Sequence, residues 1–238
     1  MKIIIGHIYP DLLNLYGDRG NICTLKRRLK LRGVETEVKT YGTDDIIDFE
    51  NLDIVILGGG SDRDIKIANE KLLSQKDKLL SYVENNGCLL ALCNGFHILG
   101  NEFETNGKKI QGLGIFNIST AECSKRLIGN IIIDCECINH TVVGFENHSG
   151  ITSINNYKAL GKVKFGYGSN ETDKKEGIIY KNTIATNLHG PLLPKNPLLA
   201  DFIIKNALTK KYGAVHLDEL DDTLENNAHN YIVNRFLK

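Results

Sequence analysis

The sequence has no surplus of charge: its 238 residues include 29 Lys and Arg against 29 Asp and Glu, a formal net charge of +0. A protein that holds nucleic acid or an anionic membrane through a broad positive field needs an excess of one sign, so neither partner is expected. Basic residues cluster only locally, for example at Lys125-Arg126 and Lys174-Lys175. No apolar run approaches the roughly 20 residues that cross a bilayer. The opening Met1-Lys2-Ile3-Ile4-Ile5-Gly6-His7 stops before a long apolar core or a small-residue cleavage site is reached, so no secretory leader is read and a cytoplasmic location is expected. No glycine cluster ends in Gly-Lys-Ser/Thr or follows G-x-G-x-x-G spacing, and no carboxylate cluster suited to Mg²⁺ is evident, so no ATP site is expected.

A framework of paired cysteines is missing too. The 6 cysteines, Cys23, Cys88, Cys93, Cys123, Cys135 and Cys137, are scattered as reduced thiols would be. Cys135-Glu136-Cys137 puts two thiols on one strand face, but no second pair stands at ligand spacing; they read as ordinary strand residues and no metal site is expected. Without internal repeats, low-complexity tracts or linkers, residues 1–238 read as a single domain with a helical tail over about 218–238.

What is present alternates between two periods. Lys2–Gly6 is a short β-branched run, Gly20–Arg32 carries apolar residues at helical spacing until Gly33, and Val34–Lys39 alternates as a strand does. Leu52–Leu57 is a buried strand before Gly58-Gly59-Gly60, Asp62–Glu84 is mostly helical, and Cys88–Leu92 is another buried strand. Strands spaced by helices predict an α/β fold with a parallel sheet covered on both faces and its sites at the carboxyl ends of the strands. From about Gly112 to Leu188 short β-rich pieces (Ile115–Ile118, Ile131–Cys137, Val142–Phe145, Gly177–Tyr180, Thr183–Asn187) predict an antiparallel section continuing or flanking that sheet. Pro197–Thr209 and Asp218–Lys238 return to helix.

Three segments carry chemistry. In Leu89-Leu90-Ala91-Leu92-Cys93-Asn94-Gly95-Phe96-His97-Ile98-Leu99-Gly100 a buried strand runs into Cys93 and a short helix follows. A thiol at such a turn is held exposed, Gly95 removes a Cβ that would clash, and the helix N-terminus favours the thiolate. The competing reading is an inert core cysteine. Gly58-Gly59-Gly60 lets backbone N–H groups converge beside that thiol as an oxyanion hole; the bland alternative is a turn. His189, in Leu188-His189-Gly190-Pro191, follows a strand and precedes a break, where an imidazole can reach the thiol as general base.

This order, strand–Gly-Gly-Gly, strand–Cys-x-Gly–helix, then a late strand–His, resembles class I glutamine amidotransferases, and the Leu188-His189-Gly190 ending resembles their cobyric-acid-synthase-like branch. Leu13-Asn14-Leu15-Tyr16-Gly17-Asp18-Arg19-Gly20-Asn21, Gly58–Arg63, Val143–His148 and His189–Asn196 are similar to the glutaminase subunits of bacterial lipid II isoglutaminyl synthases, as are Phe165–Gly168 and Lys174–Gly177. The likeness weakens after about Thr209.

The resemblance implies a flavodoxin-like class I amidotransferase fold, mainly parallel with an antiparallel extension. It implies Cys93 as nucleophile, His189 as base, the backbone N–H groups of Asn94 and of Gly59 or Gly60 as oxyanion hole, and Arg126 as the residue that binds the carboxylate of the substrate, L-glutamine. Three departures stand out. Asn94 replaces a small residue, His97 stands where a substrate-holding Gln is usual, so that either it substitutes as a donor or glutamine is held less tightly, and Pro191 fills the place of a Glu that orients the base. The resembling branch often lacks that Glu, so either Cys93 and His189 act as a dyad or Glu146 or Asp18 orients His189. The resemblance further implies a Mur-ligase-like synthetase partner in a heterodimer. That partner would carry ATP and Mg, none being expected in this chain, and would amidate the α-carboxylate of D-glutamate in lipid II during peptidoglycan synthesis. The alternatives are another acceptor such as a corrinoid carboxylate, a non-catalytic regulatory module on the same fold, and a cysteine hydrolase with the same elbow.

Overall fold

Isoleucine-rich β1 (Lys2–Ile8) lies inside the first sheet of the computed structural model, which describes residues 1–237, and its Ile3, Ile5 and Ile8 are buried. Helix α1 (Arg19–Leu31) turns Ile22, Leu25 and Leu29 inward. Gly33, at φ +68°, ends it in a left-handed conformation that favours glycine and leads into β2 (Glu35–Tyr41). Strands β3 (Ile54–Leu57) and β4 (Cys88–Leu92) are buried at every position, as strands covered on both faces must be. The helical stretch between them is two helices, α2 (Asp62–Leu73) and α3 (Lys76–Glu84), separated at Ser74-Gln75; Ser61 caps the first by accepting the Asp64 N–H.

After β4 comes a single turn, α4 (Asn94–His97), then the antiparallel hairpin β5 (Glu102–Thr105) and β6 (Lys108–Gln111). Two long strands follow, β7 (Ser119–Cys135) and β8 (His140–Ser153), then β9 (Gly161–Phe165), β10 (Lys175–Glu176), β11 (Ile178–Tyr180) and β12 (Thr183–Thr186). Helices α5 (Pro197–Tyr212) and α6 (Thr223–Phe236) close the chain; the expected final helix is shorter at both ends, and Lys238 lies outside the described residues.

The first sheet runs β11-β12-β4-β3-β1-β2 and is parallel except for β11. Its strands alternate between two cores: Val55, Leu57, Leu89 and Ala91 face one, Ile54, Ile56, Leu90 and Leu92 the other. The expected antiparallel section divides: Ile131–Cys137 and Val142–Phe145 fall in a second sheet, β10-β9-β7-β5-β6 with β8 on β7, in which β5 and β7 are parallel, whereas Gly177–Tyr180 and Thr183–Asn187 supply β11 and β12 of the first sheet, β12 parallel to β4. Both cores take residues from it, Phe103 and Ile110 on one side and Ile131, Ile133 and Val142 on the other. Ile115–Ile118, expected as a strand, is irregular: the Phe116 N–H donates to the Leu99 carbonyl and the apolar side chains fill the core without joining a ladder. Among the described residues no helix is long and apolar enough to cross a membrane.

Candidate active site

Strand β4 delivers Cys93 at φ 53° and ψ −127°, a conformation that costs a non-glycine residue about 1–3 kcal/mol and persists only when its surroundings impose it. Here they do. The Cys93 N–H donates to the Thr186 carbonyl at 2.8 Å, which extends the β4–β12 ladder by one residue, and the Phe96 N–H returns to the Cys93 carbonyl. A Cβ on Gly95 would stand 2.4 Å from the Gly58 carbonyl oxygen, and one on Gly59 3.0 Å from Cys93 Cβ. The glycine loop after β3 is therefore pressed against the elbow, as the two sequence segments require.

Cys93 is only 4% exposed, and burial pushes its thiol up to about 12; the Asn94 backbone N–H and Arg126 pull the other way. The expected help from a helix N-terminus is overridden, because α4 is a single turn and desolvation of the sulfur dominates. At neutral pH the group is a thiol and needs a base.

The glycine amides expected as oxyanion donors are engaged. Gly59 N–H donates to Asp18 Oδ2 at 2.9 Å, and Gly60 N–H to Asn94 Oδ1 at 3.1 Å. Asn94 Nδ2 in turn donates to the Gly60 carbonyl at 2.9 Å, so side chain and peptide form a reciprocal pair. Asn94, at the small-residue position of the elbow, thus holds the loop with its side chain. These donors reach another acceptor only when their present bonds exchange.

His189 follows the carboxyl end of β12, beside the carboxyl end of β4. Its backbone is fixed by a two-bond bridge to Phe145, at 2.9 and 3.2 Å. The ring is buried and stacked on Tyr16, centroids 3.9 Å apart. Neither ring nitrogen has a hydrogen-bond partner among the described residues. Burial, with His148 and Arg126 nearby, lowers its imidazole to about 4, so it is neutral at physiological pH, the form a base requires.

Neither carboxylate expected to orient His189 does so. Asp18 is spent on Gly59. Glu146, fully buried, accepts the N–H groups of Tyr167 and Gly168 at 2.8 and 3.0 Å and lies 3.6 Å from His148 Nε2. Glu146 thus finds its donors at Tyr167 and Gly168, and Asp18 keeps one oxygen on Gly59 and the other without a donor among the described residues, so neither carboxylate bonds the His189 ring.

A cavity of about 270 Å³ opens over Cys93, just under the roughly 300–1,000 Å³ of drug-sized ligand sites. Arg126 and His97 line it, as does Tyr16. Arg126 is exposed because the β7–β8 register breaks between Glu122 and Leu127, so residues 123–126 bulge out of the ladder; its Nε donates to Asn147 Oδ1 at 2.6 Å. His97 turns one ring nitrogen to a side-chain partner. Burial lowers it to about 4, and its Nε2 bonds Asn187 Oδ1 at 2.8 Å, an acceptor, so the single proton is committed and Nδ1 is left as acceptor. Asn187 is held by Glu176, a buried carboxylate that also accepts from the Thr186 and Ser169 hydroxyls. Burial raises Glu176. Tyr16, Asn147 and Asn187 had no assigned role in the sequence; Tyr16 and Asn147 fall within the resembling stretches, which was their only signal.

The profile of the CobB/CobQ-like glutamine amidotransferase domain matches residues 4–197. The chain belongs to this family. Within it, the chain is 39% identical over 235 residues to the lipid II isoglutaminyl synthase (glutamine-hydrolysing) subunit of Staphylococcus aureus, spanning 98% of this chain and 96% of that one. The counterpart from Streptococcus pneumoniae is 39% identical over 227 residues, 94% and 87% of the two chains. A cobyric acid synthase of Listeria innocua is 25% identical, and the match spans only 40% of its length. Two solved structures share the amidotransferase fold: a Thermotoga maritima glutamine amidotransferase, with TM-score 0.53 at 12% identity over 98% of this chain and 94% of that one, and a Trypanosoma brucei glutaminase domain, with TM-score 0.57 at 10% identity over 91% and 96%.

Proposed function

We propose that this chain is a glutamine-hydrolysing subunit that releases ammonia for an ATP-dependent, Mur-ligase-like partner, which amidates the D-glutamate α-carboxylate of lipid II. One observation carries the acceptor: the similarity to lipid II isoglutaminyl synthase subunits runs the length of both chains, whereas the cobyric acid synthase match leaves most of that protein unaccounted for. ATP and Mg belong to the partner on this reading.

The reaction follows from the site. Glutamine enters the cavity with its α-carboxylate on the Arg126 guanidinium. Cys93 Sγ attacks Cδ while neutral His189 takes the thiol proton, and His189 then passes that proton to the departing nitrogen. The Asn94 N–H, and a Gly59 or Gly60 N–H freed from its side-chain acceptor, receive the oxyanion. Ammonia leaves, water deprotonated by His189 cleaves the thioester, and glutamate departs. His97 Nδ1 accepts from the substrate amide.

The test is reconstitution with a Mur-ligase-like synthetase, lipid II, ATP and glutamine. The expected result is ATP-dependent amidation that Cys93→Ala abolishes and ammonium salts restore. Glutamine that stays intact with the partner present would overturn the reading; amidation of a corrinoid but not of lipid II would replace the acceptor.

A further inference from the structure

Strand β7 ends in two cysteines that the proposed reaction does not use. After Cys135 the chain curls into a 3-10 turn, Glu136–Ile138, and leaves through Asn139 at φ 49°. In an extended strand, residues two apart share a face but sit about 6.6 Å from each other, at the upper limit for a disulfide. The turn shortens that span. Cys135 Sγ and Cys137 Sγ are 3.4 Å apart, and among the described residues no other two sulfurs touch. A disulfide of about 2.05 Å then needs roughly 1.4 Å of sulfur movement.

The two thiols differ in access. Cys135 is fully buried against the core of β7 and α5, while Cys137 is half-buried and reachable. Lys158, whose ammonium pairs with Glu136 Oε2 at 3.1 Å across the turn, lies near Cys137. The hydrogen bond from Cys135, together with Lys158, holds the Cys137 thiol below its ordinary value, and Cys135 is pushed up by the same bond and by burial. One sulfur is therefore placed to attack and the other to resolve.

We propose that Cys135 and Cys137 form a reversible dithiol–disulfide site that exchanges with low-molecular-weight disulfides. Cys137 thiolate attacks one sulfur of the small disulfide, the S–S bond breaks, and one thiolate leaves and takes up a proton. Cys135, losing its proton to solvent, attacks Cys137 Sγ and expels the second thiolate. The protein dithiol is oxidised and the small disulfide is reduced to two thiols. Closing so short a loop strains the bond, which makes it readily re-reduced.

The experiment places the folded full-length chain in mixtures of reduced and oxidised glutathione, traps free thiols by alkylation and reads each cysteine by peptide mass. The Cys135–Cys137 peptide should lose two hydrogens in one step and regain them with dithiothreitol. Cys135→Ser should stop at a glutathione adduct on Cys137, accumulating about tenfold or more over the wild type. Cys137→Ser should leave Cys135 unmodified until the chain is unfolded. A lasting adduct on wild-type Cys137 would overturn the proposal. So would two free thiols in mixtures where exposed Cys23 is already modified, and both outcomes are read on the unmutated protein. The site is at the carboxyl end of β7, away from the mid-strand bulge that carries Arg126, so the result leaves the glutaminase reading untouched.

Discussion

Strand β4 has a cysteine at each end. Cys88 begins the strand and Cys93 follows it; they are 1% and 4% exposed, and burial pushes both thiols up to about 12. By burial and acidity the two are indistinguishable. They differ in what surrounds them. Cys88 lies in the apolar core, and its carbonyl accepts the Tyr82 hydroxyl at the amino edge of the sheet, where Asp53 pairs with Lys211 at 2.7 Å. Cys93 stands at the carboxyl edge on a strained backbone, under a cavity; His189, with ring nitrogens unpartnered among the described residues, follows the neighbouring strand β12, and Asp18 keeps one oxygen on Gly59 and the other without a donor there. The lesson is that a raised thiol marks burial, whereas backbone conformation and the end of the strand mark chemistry.

The contrast can be broken most directly by substituting each cysteine. Cys93→Ala should lower glutamine hydrolysis by about 10⁴-fold or more in a coupled glutamate assay. Cys88→Ala should leave the rate unchanged and lower stability by about 1 kcal/mol in urea unfolding. Equal losses of activity would erase the distinction between the edges.

Charge gives the next contrast. Burial raises Asp18 from 3.8 to about 6, so the folded state binds its proton more tightly than the unfolded state does. The stabilisation is complete below the unfolded value and is lost as pH rises through about 6. Relative to Asp18→Asn, whose amide oxygen can still accept the Gly59 N–H, the wild type should lose about 2 kcal/mol between pH 4 and pH 7. Parallel stability curves for the two proteins would remove Asp18 from the comparison.

The smallest effect separates two cations. Arg126→Ala should reduce kcat/KM roughly 10- to 100-fold, mainly through KM, because it removes a charge-assisted partner for the substrate carboxylate. Lys211→Ala, at the opposite edge, should cost under about 1 kcal/mol of stability and no activity. An unchanged KM for Arg126→Ala would leave the bulge in β7 without a role.

The sequence made the central strands legible because their apolar runs answer only to burial on both faces, and the elbow legible because Cys93, Gly95 and the three glycines are each demanded by local backbone. The second sheet was harder. The first half of β7, Ser119–Arg126, is mostly exposed and polar, with no alternation to announce a strand. Ile115–Ile118 has a strand's composition but serves as core filling. Least visible were the contacts Asp18–Gly59, Asn94–Gly60 and His97–Asn187. They join residues 41, 34 and 90 positions apart, and no local pattern encodes them.

The pairing of Asn94 with Gly60 bears on substrate entry. Asparagine carries the same terminal group as glutamine on a stem one carbon shorter, so under the proposed reaction a glutamine that takes the Gly60 N–H displaces a near copy of itself. That replacement swaps like for like and changes the hydrogen-bond count little. Which amide prevails then depends on the gap between elbow and loop, so a neighbour pressing on that loop would set the pace of turnover without touching the sulfur.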